Sequence, residues 1–129
     1  MTKEEHISYW ISGADADLEV AEAMLLSRKN LWCLFITHLV IEKSLKAHFV
    51  NVFNEVPPRT HNLVFLAEKV QIVINESQIE LLDRLNVFQI SARYPDYRNE
   101  VNNLCSYEFT IELYQKSKEL FIWIKSQLR

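Results

Sequence analysis

Two arginines, two tyrosines and an aspartate occur together in the stretch ISARYPDYRNE. Arg93 and Arg98 carry forked guanidinium groups that suit a phosphate, and Asp96 is placed to orient one of them. The rings of Tyr94 and Tyr97 offer surfaces on which a nucleobase can stack. This combination is typical of a site for a nucleotide or a short RNA. Composition alone favours the simpler interpretation, a helix end whose arginines lie in water, because loops collect such residues without function.

A second charged group, formed by Glu42, Lys43 and Lys46, interrupts a long apolar segment. Glu42 and Lys46 have the favourable i, i+4 order, and as a surface ion pair they would contribute only about 0.3–0.5 kcal/mol. Two interpretations stay open for this group: a solvated strip, or a polar wall that faces a ligand. Arg59 and His61 flank the predicted start of the next helix, where free backbone N–H groups favour an anion.

The sequence predicts no metal and no cofactor. Helical bundles often hold metals through Glu-x-x-His pairs, and neither such a pair nor an H-E-x-x-H motif occurs. His38 falls in an apolar stripe, so we expect a packed, hydrogen-bonded core histidine rather than a ligand. A single glycine excludes both glycine-rich phosphate loops, and with them a conventional NTPase or dinucleotide enzyme.

Composition indicates one globular domain spanning residues 1–129. The chain is 49% hydrophobic and 24% charged, and a net charge of −3 argues against a protein that holds long nucleic acid by overall charge. The longest apolar runs are too short for a membrane span, and MTKEEHISYW does not read as a secretory signal. Cys33 and Cys105 lie far apart and are expected to be free, inert thiols. These features favour the cytoplasm.

Apolar periodicity, one glycine and three prolines predict an all-α fold, a five-helix bundle of the up-and-down type. The first helix is expected to stop between Ser27 and Asn30, with Asn30 capping the second. Its apolar stripe consists of Ile7, Ile11, Ala14, Leu18, Ala21 and Leu25. The second helix, Leu31 to Phe53, is apolar around most of its circumference, which suits the centre of a bundle or a dimer interface.

Three further helices complete the predicted bundle. Thr60 is expected to cap a short third helix, from His61 to Val70. Asn75 and Gln78 form a capping box for the fourth helix, which Pro95 ends close to Arg93. Its inner stripe consists of Ile79, Leu82, Leu85 and Ala92. Ser106 caps the fifth helix, whose inner face carries Phe109, Leu113, Leu120, Ile124 and Leu128.

Three segments carry a resemblance to a known family. The first helix reads YWISGADADLEVAEAML, the second contains VIEKSLKAHF, with an E-K-x-L-K-A core, and PPRTHNL and ISARYPDY match P-P-x-T-H-x-L and A-R-Y-P-D patterns. In this order and spacing, from Tyr9 to Leu128, the chain resembles the HEPN family, helical domains named for nucleotide binding in higher eukaryotes and prokaryotes. The resemblance implies a five-helix bundle, usually a homodimer with a cleft between subunits. It also implies a small nucleotidyltransferase-like protein as a frequent neighbour and antitoxin.

Many HEPN members are metal-independent ribonucleases whose motif is an arginine, four to six residues, and then a histidine. The resemblance places that arginine at Arg93, as the residue that holds the scissile phosphate. The histidine positions are occupied by Arg98, Asn99 and Glu100, and no histidine follows His61. Arginine stays protonated at working pH and cannot act as a general base.

The sequence therefore predicts a dimeric HEPN module that binds a nucleotide or short RNA. Its site residues are Arg93, Asp96, Tyr97 and Arg98, with Lys43, Lys46 and His61 as weaker candidates. One alternative is a divergent ribonuclease toxin in which another residue replaces the missing base. The other is a protein–protein interaction bundle that pairs with itself and with the nucleotidyltransferase-like partner.

Overall fold

The computed structural model describes residues 1–72, 74–91, 93–94 and 105–128. Within these residues the chain forms five helices and no strand, which confirms the predicted all-α bundle. The helices are α1 (Lys3–Leu26), α2 (Asn30–Phe53), α3 (Leu63–Lys69), α4 (Glu76–Ser91) and α5 (Tyr107–Ser126). None of the helices in this part of the chain has an apolar stretch sufficient to cross a bilayer.

The second helix, α2, lies at the centre of the bundle and packs against each of the other four helices. Fifteen of its 24 residues are buried, so most of its apolar surface packs against other helices of the domain. The core around it takes Ala14 from α1, Leu66 from α3, Leu85 from α4 and Phe121 from α5. The predicted central position of this helix is confirmed.

Two predicted helix caps are confirmed. Asn75 and Gln78 form a reciprocal capping box, in which the Asn75 N–H donates to Gln78 Oε1 at 3.0 Å and the Gln78 N–H donates to Asn75 Oδ1 at 2.8 Å. The Ser106 hydroxyl accepts from the Phe109 N–H at 3.0 Å and caps α5. Both caps join residues three positions apart, so the local sequence is sufficient to predict them.

Two other predicted caps were wrong: a tertiary contact redirects Asn30, and a local hydrogen bond engages Thr60 before α3 begins. Asn30 is the first residue of α2, and its amide Nδ2 donates to the Cys105 carbonyl at 3.0 Å instead of capping the helix. Thr60 accepts from the Asn62 N–H at 3.1 Å. Asn62 itself caps α3 by accepting from the Phe65 N–H, so α3 begins two residues later than predicted.

The predicted inner stripe of α4 was right for Leu82 and Leu85, which are buried, and wrong for Ile79, which is 38% exposed. The helix turns Leu81 and Phe88 toward the core instead. Ala92, the last residue of that stripe, lies outside the described residues. The inner face predicted for α5 holds at Leu113, Leu120 and Ile124, which are buried, while the helix itself ends at Ser126, before Leu128.

Both cysteines are buried and unpaired, as predicted. Burial raises the pKa of the Cys33 thiol to about 11, against a smaller opposing effect of its hydrogen bond to Thr37, and burial raises the pKa of Cys105 to about 11 as well. Because the thiolate is the nucleophilic form, neither side chain is reactive near neutral pH.

Two histidines of α2 are buried in the neutral state. The His48 Nε2–H donates to the Ile124 carbonyl at 2.8 Å and ties α2 to α5. Burial lowers the pKa of His48 and of His38 from the ordinary value of 6.5, since charging either ring would place a cation in the core. The hydrogen bonds and nearby charges that raise each pKa are smaller effects.

We expect the folded protein to lose stability as the pH falls from 7 to 5.5. The unfolded chain takes up protons at His38 and His48 near pH 6.5 whereas the folded chain does not, so their contribution is present above that pH and lost below it. Each histidine contributes a slope of at most about 1.4 kcal/mol per pH unit. Urea unfolding at pH 8, 7, 6 and 5.5 measures the slope. His48→Gln keeps an amide donor for Ile124 and should flatten it; an unchanged slope contradicts the assignment.

Candidate functional site

Four side chains recur along one face of α2 at spacings of three and four residues: Phe35, His38, Glu42 and Lys46. This spacing places them on a single stripe of the helix, which we call the α2 strip. Two residues from other segments meet it, His61 from the loop before α3 and Arg93 from the segment after α4.

The carboxylate of Glu42 is the centre of the strip, although this side chain is only 5% exposed. Its Oε2 accepts from Lys46 Nζ at 3.1 Å, and its Oε1 accepts from His61 Nδ1 at 2.8 Å. His38 Nδ1 lies 3.7 Å from the same Oε1. Lys46 is 7% exposed, so Glu42 and Lys46 are not the solvated surface pair that one interpretation of the sequence envisaged. A buried pair of this kind persists only when further hydrogen bonds satisfy the charges.

His38 is fully buried and hydrogen-bonded, as predicted for a core histidine. Its Nε2 lies 2.8 Å from the His61 carbonyl, which can only accept, so Nε2 carries the hydrogen. Nδ1 is then the basic nitrogen, and it has no hydrogen-bond partner among the described residues. Burial, opposed by the charge of Glu42, lowers the pKa of this ring.

The loop that carries His61 is held from two sides. On one side, α2 binds its backbone through His38 and its ring through Glu42. On the other, Asn86 of α4 accepts from the Leu63 N–H at 3.0 Å and donates to Asn62 Oδ1 at 3.2 Å. The position of the His61 ring is therefore set by two helices.

The His61 imidazole is 46% exposed, whereas the Glu42 carboxylate to which it is bonded is buried. Because Glu42 is an acceptor, the neutral ring donates through Nδ1 and keeps its lone pair on Nε2. A ring oriented in this way by a carboxylate can accept a proton at Nε2 or, once protonated, donate one.

Arg93 is exposed and extends over the ring of Phe35, with 5.4 Å from the guanidinium carbon to the ring centroid. Phe35 and His38 are three residues apart, about 4.5 Å along the helix axis. Arg93 therefore contacts the α2 strip at Phe35, while His61 contacts it through its carbonyl at His38 and through its ring at Glu42, about one and two turns further along the helix. Arg93 and His61 are 32 positions apart in the sequence.

The other predicted site residues have different surroundings. Lys46 is directed at Glu42 and lies 5.4 Å from the ring centroid of Trp10. Lys43 donates to Asp17 of α1 at 2.6 Å, and its stem passes Gly13, where a Cβ would lie 3.3 Å from the lysine Cδ. Asp96, Tyr97 and Arg98 lie outside the described residues.

Glu42 and Asn86 complete the site. In the sequence, Glu42 was considered only as part of the charged group with Lys43 and Lys46 and was left out of the predicted site residues, and Asn86 was not considered. For Glu42 a signal was present, since His38 and Lys46 both lie one helical turn from it. For Asn86 no local pattern exists, because its two partners are more than twenty residues away.

Two other features do not form a comparable site. A cleft of about 440 Å³ between α4 and α5 is lined by charges of both signs, and its Lys116 is already paired with Glu112 at 2.8 Å. Across the described ranges, no three His, Cys, Asp or Glu side chains are grouped so that they could hold a metal ion.

We expect Lys46→Ala to lower the free energy of unfolding by about 3 kcal/mol, because it leaves the Glu42 carboxylate buried with one donor fewer. The matched control is Lys116→Ala, which removes the same i, i+4 pair from the exposed surface of α5 and should change stability little. Urea unfolding at pH 7 gives both values. Equal effects of the two substitutions would show that burial does not distinguish the pairs.

Comparison with solved structures places the fold among known domains. The crystal structure of TT1696 from Thermus thermophilus matches with a TM-score of 0.79 at 18% identity, over 95% of this chain and 98% of that chain. The crystal structure of ST0689, an archaeal HEPN homologue, matches with a TM-score of 0.71 at 19% identity over the same shares. At these identities the likeness concerns the fold alone.

Sequence comparison gives a family. No curated protein matches this sequence significantly. The family model described as the HEPN domain matches residues 7–127, nearly the whole chain. The match includes α2 to α5, all of α1 except its first four residues, and His61 and Arg93. This chain therefore belongs to the HEPN domain family.

Proposed function

We propose that this HEPN domain binds a nucleotide or a short RNA at the α2 strip, with Arg93 and His61 as its phosphate contacts. One observation carries the proposal: two segments distant in sequence bring a guanidinium and a carboxylate-held imidazole to the same strip of one helix. Arginine offers forked donors that match phosphate oxygens, and a protonated imidazole adds a further donor.

The charge of the protein limits the size of this ligand. With a net charge of −3, binding rests on a few local contacts rather than on a broad basic surface. Asp96, Tyr97 and Arg98 belong to the proposal because they lie within five residues of Arg93 in the sequence. Lys46 takes part indirectly, because it donates to the Glu42 carboxylate that binds His61. Lys43 also takes part indirectly, because its bond to Asp17 joins α2 to α1.

Pairing with other chains is a further part of the proposal. Val52 and Phe53, at the C-terminal end of α2, are exposed, and apolar residues in that position suit a contact with another protein. We propose a homodimer that works with a nucleotidyltransferase-like partner in a toxin–antitoxin type system, as the family resemblance suggests. Two buried free thiols agree with a reducing compartment, and so with the cytoplasm.

We expect Arg93→Ala to weaken the binding of ATP, GTP or short single-stranded RNA at least tenfold at low salt, because a charged donor to phosphate is lost. Arg84→Ala is the matched control, since Arg84 is also exposed and its guanidinium carbon also lies 5.4 Å from a phenylalanine ring, that of Phe109. Fluorescence polarisation or calorimetry measures both. Absence of binding by the wild type, or an equal loss of affinity in both variants, would contradict the proposal.

A second candidate function, a metal-independent ribonuclease, is favoured by the bond of 2.8 Å between His61 Nδ1 and Glu42. In that reaction His61 Nε2 takes the proton of a ribose 2′-hydroxyl, and the 2′-oxygen attacks the adjacent phosphorus to form a 2′,3′-cyclic phosphate. The bond from phosphorus to the 5′-oxygen breaks, and the 5′-oxygen takes a proton from water. Arg93 would stabilise the charge on the phosphoryl oxygens. His61 would thus supply the base that the sequence lacks after Arg93.

For this second candidate, we expect purified protein to cleave a short single-stranded RNA, and His61→Asn to reduce the rate by at least about a hundredfold, the usual contribution of a positioned general base. Gel analysis of end-labelled RNA gives the rate. His48→Gln, prepared in parallel, controls for contaminating nucleases, because it changes a buried histidine away from the strip. If the wild-type protein leaves the RNA intact, the ribonuclease proposal is excluded and only the binding proposal remains.

A further inference from the structure

We infer that the site takes up one proton when it binds an anion, and that this proton lies on His61. The coupling rests on the proposed function, because it concerns the phosphate contact of His61, and it makes that contact sensitive to pH. Three features of the site lead to it: the direction of the His61 ring, the burial of His38, and the charges around both imidazoles.

The nitrogen of His61 that is left for a ligand, Nε2, carries no hydrogen while the ring is neutral. A neutral imidazole bears its single hydrogen on one of its two nitrogens. In His61 that hydrogen lies on Nδ1, because Nδ1 is 2.8 Å from Oε1 of Glu42 and an ionised carboxylate can only accept. Nε2 therefore presents a lone pair to an approaching anion, which repels it. A phosphate can accept a hydrogen bond from this ring only after Nε2 has gained a proton.

A histidine without such a carboxylate partner avoids this requirement, because its hydrogen can move to the other nitrogen and the neutral ring can then donate to an anion. In this protein the same exchange would place two acceptors, Nδ1 of His61 and Oε1 of Glu42, against each other. Nδ1 of His38, which lies 3.7 Å from that oxygen, bears no hydrogen either. Oε1 would thus lose its only donor among the described residues, and a buried acceptor without a donor is costly. Glu42 therefore fixes the tautomer, and anion binding requires the proton.

The second imidazole, His38, limits the uptake to one proton. This ring is fully buried and its Nε2–H is committed to the His61 carbonyl, so only Nδ1 could gain a proton. Burial is the largest effect on this ring and lowers its pKa; the charge of Glu42 opposes that effect, and a charge on His61 lowers the pKa further. Once His61 is charged, His38 stays neutral.

The charges on the α2 strip favour the same limit. Lys46 donates to Oε2 of Glu42 at 3.1 Å, so one cation already lies beside the single carboxylate. A proton on His61 adds a second cation at a ring that is 46% exposed, where a bound anion can balance it. A proton on His38 would add a further cation in the core, out of reach of the ligand. Arg93, at the Phe35 end of the strip, adds positive charge and opposes that last protonation as well.

The neighbouring elements bring little further charge to the two imidazoles. From α4, Asn86 contributes a neutral amide. From α1, the Trp10 ring lies 5.4 Å from Lys46 Nζ, and the ring of His6 lies 6.3 Å from that of Trp10. In the described parts of α3 and α5, no charged side chain is paired or hydrogen-bonded with this group. His6 is thus the titratable residue of α1 that an experiment has to distinguish from His61.

The proton also separates the two candidate functions. A charged His61 donates to a phosphate, whereas only the neutral ring can take a proton from a ribose 2′-hydroxyl. Binding should therefore strengthen as the pH falls, and cleavage should slow over the same range.

The test uses a tetranucleotide of 2′-O-methyluridine without a terminal phosphate, which has no free 2′-hydroxyl at its internal linkages and no group that titrates between pH 6 and 8. We expect the affinity of the wild-type protein to rise about fivefold or more from pH 8 to pH 6 at constant ionic strength, and by at most about tenfold per pH unit, the limit for one proton. Calorimetry in buffers with different heats of ionisation counts the protons taken up. His61→Asn, whose amide can still donate to Glu42 but does not titrate, should take up none and should bind equally at both pH values.

The matched control is His6→Asn, because His6 is a histidine beside Trp10 that makes no ion pair with Glu42. It should keep the pH dependence of the wild type. Nuclear magnetic resonance of the imidazole nitrogens gives a second readout, in which His38 should stay neutral with its hydrogen on Nε2, with and without the tetranucleotide.

Each other result contradicts the coupling. Binding that does not depend on pH, or that depends on pH equally in His61→Asn, refutes it and leaves the proposed function standing. Loss of the pH dependence in His6→Asn assigns the proton to His6, and uptake of more than one proton or a charged His38 in the complex refutes the limit; both overturn the coupling. If the wild-type protein binds no tetranucleotide at either pH, the proposed function itself fails and the coupling fails with it.

Discussion

A carboxylate buried in the central helix has to be surrounded by donors, and the arrangement of the site follows from that requirement. Glu42 receives Lys46 from its own helix and His61 from a loop, and the same loop is bound through its backbone by His38. Removing water from a charged group costs several kcal/mol, and these contacts offset that cost. The charge thus links the core of α2 to the surface where a ligand can approach.

The bundle allows this arrangement because α2 contacts every other helix. The third and fourth helices are shorter than the rest, and through Asn62 and Asn86 they fix the loop that reaches the α2 strip. The helix that carries most of the core therefore also carries the site. The α2 strip lies beside the apolar residues that α2 contributes to the core, because residues three and four positions apart fall on one side of a helix.

Much of the fold follows from patterns within a few residues of each other. The capping box of Asn75 and Gln78, the cap at Ser106 and the central position of α2 needed only local spacing and apolar content. Asn30 was misassigned because its partner is the carbonyl of Cys105, 75 residues away. Contacts over such distances leave no periodic signal in the sequence.

The site was less predictable than the fold for the same reason. Glu42 with Lys46, and Glu112 with Lys116, show the same spacing and order, yet the first pair is buried and the second is exposed. Only the packing of α1 and of the His61 loop over α2 makes the difference. The sequence selected Arg93 and His61 as candidates, and the structure shows that each of them contacts the α2 strip, Arg93 at Phe35 and His61 at His38 and Glu42.

The double anchorage of His61 has a thermodynamic consequence. A side chain that is free in solution loses conformational entropy when a ligand orders it, and that loss weakens binding. In this protein the carbonyl and the ring of His61 are both attached to α2, so the ordering takes place when the chain folds. A ligand bound as proposed would meet a rigid imidazole, and the free energy of that contact would be available for affinity or for catalysis rather than for ordering the protein.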